Sequence, residues 1–136
     1  MNDFFAALYE GFHPLNLFYI QDFSNDMYGS GAYVTIGLIM IFSSFVFESL
    51  YYYFLSSYGS LYKRIFWFIW LLVIAVINFV VAFYYSTVEL ENMGVKYGFT
   101  EHFNFSVVNV LWAVIFSFVF SLLLKTKSIK GSRTPF

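Results

Sequence analysis

Three stretches of the chain are apolar on every face, separated by segments rich in glycine, serine and acidic residues. The first covers residues 32–55, AYVTIGLIMIFSSFVFESLYYYFL. The second covers 65–85, IFWFIWLLVIAVINFVVAFYY, and the third 105–124, FSVVNVLWAVIFSFVFSLLL. Each reaches the roughly 20 helical residues that a bilayer crossing takes. Their β-branched and aromatic residues do not argue for strands, because lipid-facing strands of a barrel alternate apolar with polar over about ten residues. SSYGS at 56–60 and STVELENMGVKYGFTEHFN at 86–104 carry breaker chemistry between the spans. The pattern predicts an all-α integral membrane protein with three transmembrane helices, a single membrane domain over 1–136.

Residues 1–31 read as an outer amphipathic segment. Phe4, Phe5, Leu8, Tyr9 and Phe12 recur at helical spacing, while Asn2, Asp3 and Glu10 take other positions, and Gly11 and Pro14 stop the run. This predicts a short N-terminal amphipathic interfacial helix lying on the outer surface, or packing on the 86–104 loop. MNDFFAALYEGFHP has no basic n-region and no small-residue cleavage site, so we expect it to be retained. Gly29-Ser30-Gly31 has neither the lysine nor the preceding strand of a phosphate-binding loop, and reads as a flexible lead into the first span.

Composition supports the membrane class. The chain is 60% hydrophobic, 26% aromatic and only 11% charged, against roughly 25% charged in soluble domains. A net charge of −1 supplies no basic field for nucleic acid. The absence of cysteine excludes disulfides, thiolate metal sites and a cysteine nucleophile. The few basic residues set an orientation. Lys63 and Arg64 follow the first span, and Lys125, Lys127, Lys130 and Arg133 occupy the tail 125–136, whereas the 86–104 loop holds only Lys96 and the first 31 residues none. The positive-inside rule then gives the N-terminus outside and a basic cytoplasmic tail. We read the protein as one of a bacterial inner membrane, with the lipid bilayer as its first partner.

Polar residues inside the spans are the candidate functional positions. Glu48 lies about seven residues from the inner end of its span, roughly 10 Å deep at the rise of a helix. A bare carboxylate there is costly, so it must be protonated, paired, or turned to a wet cavity or protein interior. Gly37, Ser44 and Glu48 share a narrow arc, with Phe42, Phe45, Val46 and Leu50 elsewhere. The second span has an arc of Ala75, Asn78 and Ala82. The third steps through Ser106, Asn109, Ala113, Ser117 and Ser121. Small and hydroxyl-bearing residues at such intervals let helices approach and hydrogen-bond. Matching depths puts Glu48 level with Trp70 and Ser117, and suggests an Asn78–Asn109 amide pair. Trp70, Ser44, Tyr51 and Tyr52 are the groups that could hold Glu48. Ser117, Asn78, Asn109, Gly37 and Ser44 are the helix-interface candidates, and Glu48 is the intramembrane functional candidate.

Enzyme chemistry is missing from the pattern. His13 and His102 both lie outside the spans, without metal-ligand spacing, and Glu101-His102 reads as a solvated loop pair. No nucleophile–base pair, metal site or cofactor motif is expected. On the premise that three helices alone cannot shelter polar arcs on all of them, we expect a homo-oligomer or a subunit among other membrane or envelope proteins. The leading reading is a non-enzymatic homo-oligomeric anchor or pore-forming subunit of a cell-envelope complex. A second is an ion- or proton-conducting channel or transporter subunit using Glu48. The layout, with three crossings, N-terminus out, C-terminus in and a basic tail, resembles one class of phage holins. That resemblance implies a third reading, membrane permeabilisation.

Overall fold

The computed structural model describes residues 1–11, 20–55 and 63–125. Within them the chain forms α1 (Asn2–Glu10), α2 (Gln21–Ser30), α3 (Ala32–Tyr53), α4 (Arg64–Asn92) and α5 (Phe99–Lys125). The SSYGS connection, Phe12, His13, Pro14 and the tail residues Lys127, Lys130 and Arg133 lie outside the described residues.

The protein is an all-α integral membrane protein: α3, α4 and α5 are each long and apolar enough to cross a bilayer. At the rise of a helix, the 22 residues of α3 extend about 33 Å, close to the roughly 30 Å of a hydrocarbon core. The 29 residues of α4 and 27 of α5 extend about 43 Å and about 40 Å. The excess lies at one end, where α4 continues to Asn92 and α5 starts at Phe99. The connection expected over 86–104 therefore shrinks to Met93–Gly98. Hydropathy marks where a chain leaves hydrocarbon, not where its helix ends, and Glu89, Leu90 and Glu91 are good helix formers in water. At the other end α3 stops at Tyr53, with Phe54 as its C-cap, slightly short of the apolar run.

Helix α2 has no counterpart in the hydropathy pattern. Its sequence QDFSNDMYGS is mostly polar, and what holds it is Phe23 and Met27, one turn apart and both sealed from solvent. Gly31 then takes a left-handed conformation, φ +73°, which ends α2 and starts α3 in a single residue.

Hydrogen bonds fix the relative register of the spans. Ser44 Oγ donates to the Ala113 carbonyl (3.4 Å), and the Tyr52 hydroxyl meets Ser121 Oγ (2.5 Å). Both pairs are 69 residues apart, so α3 and α5 run in the same direction. α4 runs against them, with Ser86 beside His102 and Asn78 beside Asn109.

The end that carries α1, α2 and Met93–Gly98 is the capped end; the opposite end, with Lys63, Arg64 and Lys125, is the basic end. The N-terminal helix does more than rest on the cap. Asn2 Nδ2 donates to the Tyr28 carbonyl (2.9 Å), and the Tyr28 hydroxyl donates to Asp3 Oδ1 (2.5 Å), which ties the start of α1 to the end of α2. Three residues beyond Asn2, the Phe5 ring lies on Gly37. At the far end Trp112 Nε1 donates to the Leu8 carbonyl (2.8 Å), and the Tyr9 hydroxyl donates to Asn109 Oδ1 (2.8 Å). Helix α1 thus descends between the upper halves of α3 and α5. Its buried face is Phe5, Ala6 and Tyr9, while Phe4 stays 58% exposed. The core beneath the cap is aromatic: Tyr9 stacks with Tyr33 (5.3 Å) and packs on Phe105 (5.0 Å), and Phe23 meets Phe105 and Tyr97. A smaller cluster of Tyr51, Tyr52 and Trp67 closes the basic end.

Candidate functional site

A helix places side chains on one face at intervals of three and four. On α5 the polar residues His102, Ser106, Asn109, Ser117 and Ser121 keep that interval, with Ala113 standing between Asn109 and Ser117, and all are buried. They meet Ser86 and Asn78 of α4 and Ser44, Glu48 and Tyr52 of α3. The bundle therefore has a polar column along its axis, enclosed by one chain.

Near the capped end, His102 Nδ1 lies 3.0 Å from Ser86 Oγ, with the ring edge-on to Phe23 and Phe83. This corrects the solvated-loop reading: α5 begins before the apolar run and turns His102 inward, in phase with Ser106 and Asn109. It also brings together a serine and a histidine that sequence spacing did not pair. The Ser86 hydroxyl donates to the Phe83 carbonyl of its own helix (3.1 Å) and is fully buried, so the contact is a packed hydrogen bond, with the imidazole N–H as its donor. Among the described residues, no cluster of His, Asp and Glu could hold a metal ion.

One layer deeper, Asn109 Nδ2 donates to the Asn78 backbone carbonyl (3.1 Å), while Asn109 Oδ1 accepts from Tyr9. Asn78 Nδ2 donates to the Ile74 carbonyl (3.0 Å), and its Oδ1 accepts from Ser43 Oγ (3.2 Å). The two asparagines do meet, but side chain to backbone, not amide to amide. Tyr9 and Ser43 complete the layer. Tyr9 belongs to the helical pattern of the N-terminal segment, but nothing in that pattern indicates that α1 reaches this depth. Gly37 is also placed differently from its expected role as a contact between spans or copies. A Cβ there would fall 2.2 Å from Phe5 Cδ1, so the glycine makes room for α1.

The lower half of the column has three rungs between α3 and α5, one helical turn apart. Ser44 to Ala113 is the upper rung and Tyr52 to Ser121 the lower, both hydrogen-bonded. The same register sets Glu48 against Ser117. This middle rung is not closed: Glu48 has no solvent exposure, and Oε1, Oε2 and the Ser117 hydroxyl find no hydrogen-bond partner among the described residues. The surrounding groups are already committed. Trp70 Nε1, which sequence depth matched to Glu48, donates to the Phe47 carbonyl (2.9 Å). Ser44 and Tyr52 serve the neighbouring rungs. The indole that faces the Glu48 carboxyl is Trp67, one turn nearer the basic end. Matching depths did not find it, because the depth of a residue does not say which of two tryptophans turns inward, and Trp67 is the one 2% exposed.

Every helix-interface candidate is thus buried within a single chain: Gly37, Ser44, Asn78, Asn109 and Ser117. The premise that copies are needed to shelter the polar arcs is overturned, because α1 and the parallel α3–α5 pairing enclose them. Comparison with protein-family models, with curated proteins and with solved structures finds no match.

Proposed function

We propose that this is a non-enzymatic, ion-handling membrane protein in which Glu48 binds and releases a cation, the proton foremost, inside a single-chain bundle. The observation that carries this reading is the open middle rung. The rungs on either side show how this bundle satisfies a buried hydroxyl. A carboxyl between them, sealed, facing only the Trp67 indole and closing no hydrogen bond of normal geometry, is an expensive substitute for the serine or alanine that packing alone would require. Insertion scales put an acidic residue at mid-helix at about 2.5–3.5 kcal/mol, and missing hydrogen bonds add to that. A bound proton or cation removes the cost, which is the chemistry expected of an intramembrane carboxylate that works.

The homo-oligomeric anchor or pore and the holin-like reading draw less support. Both need polar surface turned outward, to line a space between copies. Here the large outward side chains of the spans are apolar or aromatic, among them Phe42, Leu72, Val80, Tyr84 and Leu123. In the favoured reading the protein lies in a bacterial inner membrane with its capped end outside.

The test is proton uptake into liposomes under an imposed membrane potential, followed with a trapped pH-sensitive dye. The intact protein should accelerate uptake well above protein-free vesicles. Glu48→Gln, which keeps shape and hydrogen-bonding capacity, should return it to the protein-free rate. Equal rates for the two proteins, or no acceleration by either, would overturn the reading.

A further inference from the structure

Two hollows on the flank of α4, toward the capped end, run into each other. One, of about 430 Å³, lies along Phe79, Val80 and Tyr84. The other, of about 200 Å³, is lined by Lys96, Tyr97 and the buried His102. Phe83, Thr87 and Glu91 line both, so the two form one groove. Its ends differ in chemistry. Residues 79–84 belong to the apolar run 65–85, and Val80 and Tyr84 are 58% and 69% exposed. Phe79 stacks on Phe83, and Phe83 packs on Phe99, which makes this wall aromatic. Thr87 and Glu91 lie past the end of the run, where the groove gains a carboxylate, an ammonium and an imidazole. From Phe79 to Glu91 the helix rises about 18 Å, against about 15 Å for one leaflet's half of the hydrocarbon core. The charged end therefore stands at headgroup height while the apolar end lies beside acyl chains.

We propose that this groove holds a phospholipid of the leaflet at the capped end, one whose headgroup carries a primary ammonium. The ammonium sits on Glu91, the phosphate on Lys96, and an acyl chain runs along Phe79, Val80 and Tyr84. The site is separate from Glu48 and stands whether or not that residue handles ions. Charge complementarity selects the occupant, because Glu91 and Lys96 both line the headgroup end and differ in sign. A zwitterionic head answers both, whereas an anionic head meets Lys96 but is opposed by Glu91. His102 adds a preference among zwitterions. Its Nδ1–H is committed to Ser86 Oγ (3.0 Å), which leaves Nε2 as an acceptor for the cavity that Glu91 also lines. A primary ammonium can donate to both acceptors; a trimethylammonium has no hydrogen to give. A soluble zwitterion would leave the apolar half of the groove empty.

The probes are phosphatidylethanolamine, phosphatidylcholine and phosphatidylglycerol with identical acyl chains, titrated singly onto the detergent-solubilised full chain and read by native mass spectrometry. Phosphatidylethanolamine should bind on the order of fivefold more tightly than phosphatidylcholine, the upper range for a solvent-accessible ion pair. Glu91→Gln should remove that preference. Lys96→Gln should weaken both zwitterionic lipids alike, since they share the phosphate. Val80→Trp, which crowds the apolar half, should weaken all three lipids, and Phe42→Ala, on the exposed face of α3, should change none. Equal affinity for the ethanolamine and choline lipids, or a preference that survives Glu91→Gln, would overturn the proposal. Phosphatidylglycerol bound more tightly than phosphatidylethanolamine would mark a plain anion site at Lys96 and sink it as well. Glycerophosphoethanolamine, the same head without chains, should not displace the lipid at equal concentration. Displacement would mean that the groove serves a soluble zwitterion, and would refute the lipid assignment.

Discussion

Tyr97, in the short connection before α5, donates a hydrogen bond to Asp26 Oδ2 of α2 at 2.6 Å, and its ring meets Phe23 edge-on at 5.1 Å. Partial burial, then the bond to Asp26, raise the phenol to about 12, from an ordinary value of about 10. The folded protein therefore holds this proton more tightly than the unfolded chain does. The resulting stability is fully present below about pH 10 and is lost as pH rises through the folded value. Tyr97→Phe removes the titrating group. Its melting temperature in detergent should lie below wild type at pH 8, and the gap should close between pH 10 and 12; a gap independent of pH would contradict the assignment. At this scale the intramembrane positions were legible because polarity in an apolar run is conspicuous: Glu48, Asn78, Asn109 and Ser117 stand out in the sequence. Their partners were not, since Trp67 and Tyr9 reach the column only through the way whole helices are seated.

Helix α1 gains its place from one missing side chain. Its Phe5 ring occupies the space a Cβ on residue 37 would need, with ring carbons 2.2 and 2.3 Å from that position. Gly37→Ala should push Phe5 off α3 and loosen the hydrogen bonds that Tyr9 and Leu8 make further along. Overpacking of this kind costs about 1–3 kcal/mol. Adding Phe5→Ala removes the clash, so the double variant should be less destabilised than the sum of the two single ones in a denaturation cycle. Strict additivity would mean that the two residues do not share the contact. Phe42→Leu, on the exposed face, should stay within about 0.5 kcal/mol of wild type. The periodicity of residues 4–12 revealed an amphipathic helix, yet not which face it buries. Phe4, prominent in that pattern, remains exposed, and Ala6 takes the inward place. Helix α2 was illegible for a related reason: two anchors, Phe23 and Met27, hold a segment that local composition would leave as loop. Hydropathy located the three spans because each is apolar all round, but it could not reveal that α4 and α5 continue past the hydrocarbon.

On the scale of the whole molecule, the bundle is apolar outside, polar along its axis, and unequal at its two ends. Periodicity assigns each polar residue to a face of its own helix, but only tertiary contacts set one helix against another. The register that puts Glu48 opposite Ser117, and the enclosure of the column by one chain, therefore lay beyond the sequence. The orientation in the membrane, by contrast, is argued from charge. The basic end carries Lys63 and Arg64 at the start of α4 and Lys125 at the end of α5, whereas the capped end holds Lys96 alone. Lys127, Lys130 and Arg133 follow Lys125 in sequence and add to the bias. Lysine and arginine close to span ends are the residues that retain a loop in the cytoplasm, and acidic residues contribute little. The acids of the cap, from Asp3 to Glu101, therefore decide nothing; the proposal of a capped end outside rests on the basic count alone. A chain without cysteine allows a direct measurement. Asn92→Cys, at the exposed end of α4, should react in intact cells with a membrane-impermeant maleimide, and Ser60→Cys, between the first two spans, should react only after permeabilisation. The opposite pattern would invert the protein in its membrane, and with it the side from which the His102 end of the polar column is reached.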